Sequence, residues 1–437
     1  MMGRAAHAAG GFAAKGLGLA AQLLTLVLIT QALGAQEFGR YSLLLSIASI
    51  AAQLADFGLG RYQFRRAHRG SPVATLVMWS IAFRLTATVL LLPLLLFYAA
   101  RSGLPVPAIL LAFAANILFQ LANLNRCLLL LRHRVAGAIL VESAPALIFC
   151  AGVALCVAVR LPIGVDAALL LYLIATLMGF ALSVAGAGTA KSWLRGVVML
   201  LRGSGRRTLA GVAVLARRSS LVGIDIFLAA ATFNAPILIV SALGGDTATP
   251  QVALYQRILG LEVALLSVTV TARLKRYYDD GGRGVLDLSP ALAAGAIVFA
   301  LNLLGLGLLG PVAALLPDVH GFTLAGLVLS LRPHSLLIAS VTACVAGYLH
   351  CSMAALGGDR LWQRCLSAGA GLATTVGMAA LLYQAEVEPV RAVLLASLLG
   401  QIVAIAALLA GVARDGVRIR LPRLPSGPGG QPAAGTP

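Results

Sequence analysis

Eight ionisable side chains stand inside long apolar runs of the sequence: Lys15, Arg84, Arg126, Arg257, Asp56, Glu142, Asp225 and Glu262. A charge in such a setting is costly and is kept for a partner, a cavity or a transported ligand. Arginine suits a phosphorylated or acidic ligand, because its planar fork donates paired hydrogen bonds and stays charged in a low dielectric. Arg84 lies about nine residues into its run, roughly 14 Å at the helical rise, too deep for its head group to reach water easily. It ranks first as a cavity cation, with Arg257 as its counterpart in the second half of the chain. Arg126 and Glu142 each lie about six residues, roughly 9 Å, from the loop joining their runs, and are placed to pair, as a structural tie or as part of a site. Lys15 and Asp56 sit shallower, at interface depth. Arg257 and Glu262 are five residues apart, roughly 140° around a helix, and face different neighbours. Substrate-binding cations are therefore sought among Arg84, Arg257, Arg126 and Lys15. Ion coupling is sought among Asp225, Glu142, Glu262 and Asp56, since a carboxyl held out of water can exchange a proton near neutrality. The competing reading makes these carboxylates packing partners of nearby arginines. Gln53, Asn116, Gln120, Asn123 and Asn234 either line the same space or tie helices together.

Other chemistry is not written here. Cys127, Cys150, Cys156, Cys344, Cys351 and Cys365 fall in or beside apolar runs with no C-x-x-C pair, and read as small buried hydrophobes. His7, His68, His133, His320, His334 and His350 fall in separate segments without metal-ligand spacing. Asp279-Asp280-Gly281-Gly282 reads as a turn in a basic loop rather than a catalytic acidic pair. No metal, no cofactor and no enzymatic activity is expected.

The elements that must position these charges are membrane helices. Of 437 residues 60% are hydrophobic and 11% charged, and mean hydropathy is +0.94, which leaves too few polar side chains to clothe a water-soluble globule. Runs of the length needed to cross a bilayer recur at 12–34, 41–59, 75–100, 107–130, 136–159, 166–187, 219–241, 251–272, 289–311, 336–356, 366–384 and 389–411. Ten-residue strands of alternating polarity are absent, which argues against a barrel. The first run is read as an uncleaved helix, because it is long and another follows at once. Lys and Arg concentrate after the even-numbered spans, against only Arg40, Arg101, Arg160, Arg332 and Arg391 on the other side. The positive-inside rule then puts both termini in the cytoplasm. Basic loops between spans suit anionic lipid better than nucleic acid, so membrane lipids are expected partners and nucleic acid is not.

The spans divide six and six. The lobes are 1–187 and 219–412, separated by a basic linker at 188–218 whose first part, KSWLRGVVMLLRGS, reads as an amphipathic helix on the membrane surface. A short repeat supports the division. Ala32-Leu33-Gly34-Ala35-Gln36 with Gly39-Arg40-Tyr41 is answered by Ala242-Leu243-Gly244-Gly245-Asp246 with Ala253-Leu254-Tyr255, and Arg61-Tyr62 by Arg276-Tyr277. Six spans between copies imply parallel repeats about an axis normal to the membrane. The tail, 413–437, starts basic and ends in SGPGGQPAAGTP, a composition that cannot bury a core and is expected to be disordered.

The stretch from Ile29 to Ala67 resembles the polysaccharide-transporter (Wzx-type flippase) branch of the multidrug/oligosaccharidyl-lipid/polysaccharide (MOP) exporter superfamily. The residues carrying the resemblance are Leu33, Gly34, Glu37, Phe38, Gly39 and Tyr41, then Asp56-Phe57-Gly58-Leu59 and a basic loop; Ala253-Leu254-Tyr255-Gln256-Arg257 is similar to the family's segment opening the eighth helix. It implies an all-α membrane protein of about 12 helices in two six-helix lobes around a central cavity, exporting a polyprenyl-diphosphate-linked glycan across a bacterial inner membrane. Its partner would be the undecaprenyl-diphosphate-linked glycan, with polymerase and chain-length machinery beside it, and the chain would be a monomer. Asn234 stands where many relatives carry an Asp, which puts ion coupling at that position in doubt. A drug or cation antiporter of the same superfamily would want a carboxylate-dominated cavity. A membrane glycosyltransferase or polymerase would want acidic residues on a large outer loop, and the outer loops here are short.

Overall fold

In a bilayer an apolar segment can satisfy its backbone hydrogen bonds internally only by becoming a helix or closing a barrel. Here the solution is helical. The computed structural model describes residues 2–132, 134–203, 205–243, 245, 247–282, 285–315, 323–357 and 360–420. In chain order these form α1 (Met2–Asp56), α2 (Leu59–His68), α3 (Val73–Arg101), α4 (Val106–Leu131), α5 (Val135–Ala158), α6 (Val165–Ala187), α7 (Ala190–Arg202), α8 (Gly205–Ala242) and α9 (Thr249–Gly282). Then follow a short strand β1 (Val285–Asp287), α10 (Ser289–Leu315), α11 (Thr323–Leu331), α12 (Ser335–Gly357), α13 (Leu361–Gln384), α14 (Pro389–Arg414) and β2 (Arg418–Arg420).

Ten helices among the described residues are long and apolar enough to cross a membrane. The first of them contains two expected spans. Its backbone leaves the helical region at Gly34, with φ 76° and ψ 171°, a conformation essentially confined to glycine. The Leu33-Gly34 pair is thus the corner where the chain turns back. α9, which contains the expected run 251–272, packs along α1, α8 and α12.

α1, α3, α4, α5 and α6 pack with one another, as do α8, α9, α10, α12, α13 and α14, and α1 meets α8 and α9 across the seam. The principal apolar core crosses this seam, joining Phe38, Tyr41 and Ala48 to Ile237, Leu254, Tyr255 and Leu331. Close backbone approaches hold it at both ends. A Cβ on Gly39 would meet Pro250 at 3.1 Å, near the corner after the first crossing. At the opposite end, which carries the basic loops, the Phe57-Gly58 turn has positive φ at both residues. A Cβ on Gly58 would stand 2.8 Å from Val222, and one on Gly223 2.6 Å from the Phe57 ring. Away from the seam, Val89, Leu90, Leu94 and Phe97 are exposed along α3, as lipid-facing side chains are.

The helix expected in the basic linker is present, and two other segments differ from the sequence reading. The basic linker is a docked helix, α7, continuing into the first turns of α8. Trp193 Nε1 donates to Asn125 Oδ1 at 3.1 Å, and Gly196 would place a Cβ 2.6 Å from Val77, while Leu194 and Leu201 stay exposed. The Asp279-Asp280-Gly281-Gly282 segment, read as a turn, is the end of α9. Part of the tail read as disordered is ordered: Arg418–Arg420 pairs in parallel with Val285–Asp287. Backbone pairing there needs no apolar side chains, so composition could not announce it. Residues 421–437 of that tail, Gly244 and Asp246 of the repeat, and His133 and His320 lie outside the described residues.

Candidate functional site: a cation-bearing cavity between the lobes

A cavity of about 460 Å³ lies at the seam, lined by α1, α4, α5 and α6 on one side and α8 and α9 on the other. Its apolar wall includes Leu26, Phe38, Phe149, Phe233 and Leu261; its polar wall includes Gln22, Ser46, Asn116, Tyr172, Asn234 and Gln256. Three charged side chains reach it among the described residues: Lys15, Glu142 and Arg257.

Lys15 comes from α1 and Glu142 from α5, two helices in close contact because Gly18 lets α1 approach Ser143: a Cβ there would meet Ser143 Oγ at 2.5 Å. Lys15 Nζ donates to Glu142 Oε1 at 2.9 Å. Arg126, on α4, brings Nη2 within 2.7 Å of Glu142 Oε2. One carboxylate therefore holds two cations, one on each oxygen. The pairing of Arg126 with Glu142 is the one their equal depths suggested. Lys15, shallow in the sequence reading but counted there among the candidate cavity cations, faces the cavity with 15% of its side chain exposed, Glu142 with 24%.

Arg257 enters from α9. No carboxylate pairs with it among the described residues, and it is the second lobe's contribution to the cavity charge. Its neighbour Gln256 links the lobes: Ser46 Oγ of α1 donates to Gln256 Oε1 at 3.5 Å, and Gln256 Nε2 donates to Asn234 Oδ1 of α8 at 2.7 Å. Asn116 and Asn234 line the cavity, whereas Asn123 Nδ2 donates to Gln120 Oε1 at 2.8 Å one turn away on the same helix, α4.

Arg84 is placed differently from the sequence expectation. It is buried outside the cavity lining, ion-paired with Asp56 and bonded to Ser80 Oγ, and its Nη2 donates to the Gln120 carbonyl at 3.1 Å. Asp56, read as interfacial, is buried with it and accepts from the Gly60 amide at 3.5 Å across the turn into α2. The deep arginine is thus a clasp joining the end of α1 to α3 and α4. Depth counted along one helix says how far a charge lies from the interface but not which neighbour receives it. Glu262 also lies outside the cavity lining and turns toward Asn302 of α10.

Asp225 pairs with Arg364 at 3.0 Å, the side chains 2% and 9% exposed. Arg364 precedes the apolar run 366–384 by two residues, but α13 starts at Leu361 and draws it into the bundle. Aligning Ala32-Leu33 with Ala242-Leu243 sets Lys15 opposite Asp225. The fold agrees: α1 packs on α5 as α8 packs on α13, so each lobe ties its first and fifth crossings with one ion pair. The polarity is reversed between lobes, and only the first pair faces the cavity. Sequence reasoning missed Arg364, Gln256, Tyr41 and Tyr172. Only the repeat, extended to α5 and α13, offered a signal for Arg364.

No protein-family model matches the chain, and no curated protein matches it. Solved structures do. An inward-facing multidrug resistance MATE family transporter of the MOP superfamily superposes with a TM-score of 0.63 at 15% identity, covering 91% of this chain and 94% of that one. The MATE multidrug transporter DinF-BH, solved in a complex, gives 0.64 at 15% identity over 94% and 95%. The lipid II flippase MurJ in an inward closed conformation gives 0.64 at 12% identity over 95% and 88%. The chain has this transporter fold over nearly its whole length.

Proposed function

We propose that the protein is a flippase that carries a polyprenyl-diphosphate-linked oligosaccharide from the inner to the outer leaflet of a bacterial cytoplasmic membrane, for surface polysaccharide synthesis. The observation that carries this reading is the cation excess of the cavity. Lys15 and Arg257 line it, Arg126 stands behind Glu142, and Glu142 is the one carboxylate in the lining among the described residues. A diphosphate or acidic sugar is stabilised there by charge-assisted hydrogen bonds, which are stronger in a low dielectric than in water. About 460 Å³ is within the range of small-ligand sites and holds a headgroup with its first sugars. The prenyl tail remains in lipid, and a longer glycan requires the lobes to part further.

Alternating access moves the site between leaflets: the lobes rock about the seam, breaking the Gly39–Pro250 approach to open one end and the Gly58–Val222 approach to open the other. The resemblance of the Ile29 to Ala67 segment supports the polysaccharide branch, and one solved neighbour is itself named a lipid II flippase. Two others are named multidrug transporters, and a drug antiporter is the second reading. It fits the fold equally, but a cationic drug entering this cavity would meet Arg257, which no carboxylate pairs among the described residues, rather than a free carboxylate. The test is the sidedness of lipid-linked glycan in a deletion strain lacking any second transporter. The precursor accumulates on the inner leaflet if the reading is right; outward movement at the normal rate overturns it.

A further inference from the structure

Two ion pairs occupy matching places in the two lobes, yet they differ in access. Asp225–Arg364 is sealed, at 2% and 9% exposure, and separating it would strand an uncompensated buried charge. Lys15–Glu142 opens onto the cavity, at 15% and 24%, with Arg126 on the remaining oxygen. Ligand entering the cavity therefore meets cations already occupied by the protein's own anion. Both Glu142 oxygens are engaged, each on a different cation, by a group that presents two oxygens from one carbon. A phosphoryl group presents its oxygens from one phosphorus in a similar spread, so it can take over both contacts at once.

We propose that Glu142 is an internal counter-anion, a specificity-determining residue that holds Lys15 and Arg126 in the empty cavity and is displaced when an anionic headgroup binds. This rests on the anionic-substrate reading above and deepens it. In the empty state the carboxylate neutralises part of the cavity charge and keeps both cations, on α1 and α4, against α5. A neutral or cationic molecule cannot take its place, because removing the carboxylate from two cations without substituting another anion leaves them unpaired. An anion carrying more charge than a carboxylate can. Exchange of partners would then loosen α5 from α1 only when the correct class of substrate is present. Arg257 has no such competitor among the described residues and provides the first contact. The second lobe keeps its matching pair sealed as a fixed strut, so the exchange is confined to one side of the seam.

Binding of farnesyl diphosphate, with farnesol as the neutral control, is measured on the purified full-length protein in nanodiscs for the wild type and Glu142→Gln. Loss of the competing carboxylate tightens farnesyl diphosphate binding about tenfold, a usual size for coupled events, and leaves farnesol without measurable binding. Diphosphate affinity that is unchanged or weaker in Glu142→Gln, with the wild type binding, overturns the counter-anion role alone. Absence of diphosphate binding by both proteins overturns the anionic-substrate reading and the inference with it. Should Glu142→Gln fail to fold, infrared difference spectra of the wild type decide the matter. Farnesyl diphosphate shifts a carboxylate stretching band if Glu142 changes partners, and a carboxylate region unaltered at saturation overturns the proposal.

Discussion

At the scale of single residues, the same two chemical types serve opposite ends. Arg257 and Arg84 are both arginines at membrane depth, but among the described residues one faces a cavity with no carboxylate partner and the other is ion-paired with Asp56. Their substitutions should separate accordingly. Arg257→Ala removes a charged donor from the site and is expected to lower export by about 10- to 100-fold, the equivalent of about 1.5–3 kcal/mol, with little change in thermal stability. Export assays paired with melting curves in detergent check this. Arg84→Met leaves Asp56 buried without its cation and is expected to cost about 3–5 kcal/mol of stability. The double variant Arg84→Met with Asp56→Leu should recover much of that loss, since replacing both members of a buried pair by apolar groups is often neutral. A double variant no more stable than Arg84→Met alone would show that the clasp is not the reason for the loss.

At the scale of elements, the glycines at the ends of the two α1 crossings fix where the helices turn. Gly34 has open space around its Cβ position, so its constraint is purely conformational. Gly34→Ala is expected to cost about 1–3 kcal/mol through backbone strain alone. Gly58 combines a φ of 74° with a Cβ position 2.8 Å from Val222, so Gly58→Ala should cost more than Gly34→Ala and should also push α2 away from α8. Unfolding of the purified variants ranks the two, and equal costs would mean that the Val222 contact yields freely. The Phe57-Gly58-Leu59 segment of the flippase-like motif has a structural account on this basis: it closes the seam at the basic end and leads α2 along the bundle.

At the scale of the whole molecule, the two lobes touch at both ends of the seam and enclose the cavity between them. Rocking requires each contact to break in turn. A disulfide or short bismaleimide link between Gly39→Cys and Pro250→Cys is expected to stop export while leaving farnesyl diphosphate binding from the other side intact. Transport that continues with the link fully formed would rule out opening at that corner. The Ser46–Gln256–Asn234 chain also crosses the seam, and Gln256→Ala should weaken the closed state there, seen as a higher cross-linking-independent separation of spin labels on α1 and α9.

The sequence by itself determined the lipid solvent, the all-helical class and the small set of charges worth following. Those properties are local or additive: hydropathy sums along a run, and charges count wherever they fall. Turn chemistry was legible only in part, since Gly34 announces a corner but nothing in Arg418–Arg420 announces a strand. Tertiary structure alone decided which charge meets which. Arg84 and Asp56 are 28 positions apart and Lys15 and Glu142 are 127 apart, and such pairings depend on helix rotation and close glycine approaches that no single run encodes. For the same reason the cavity was found not at the deepest arginine but where Lys15, Glu142 and Arg257 converge. A charge inside a membrane must have a partner, and only the packed bundle shows which charges are already satisfied and which remain available to a ligand.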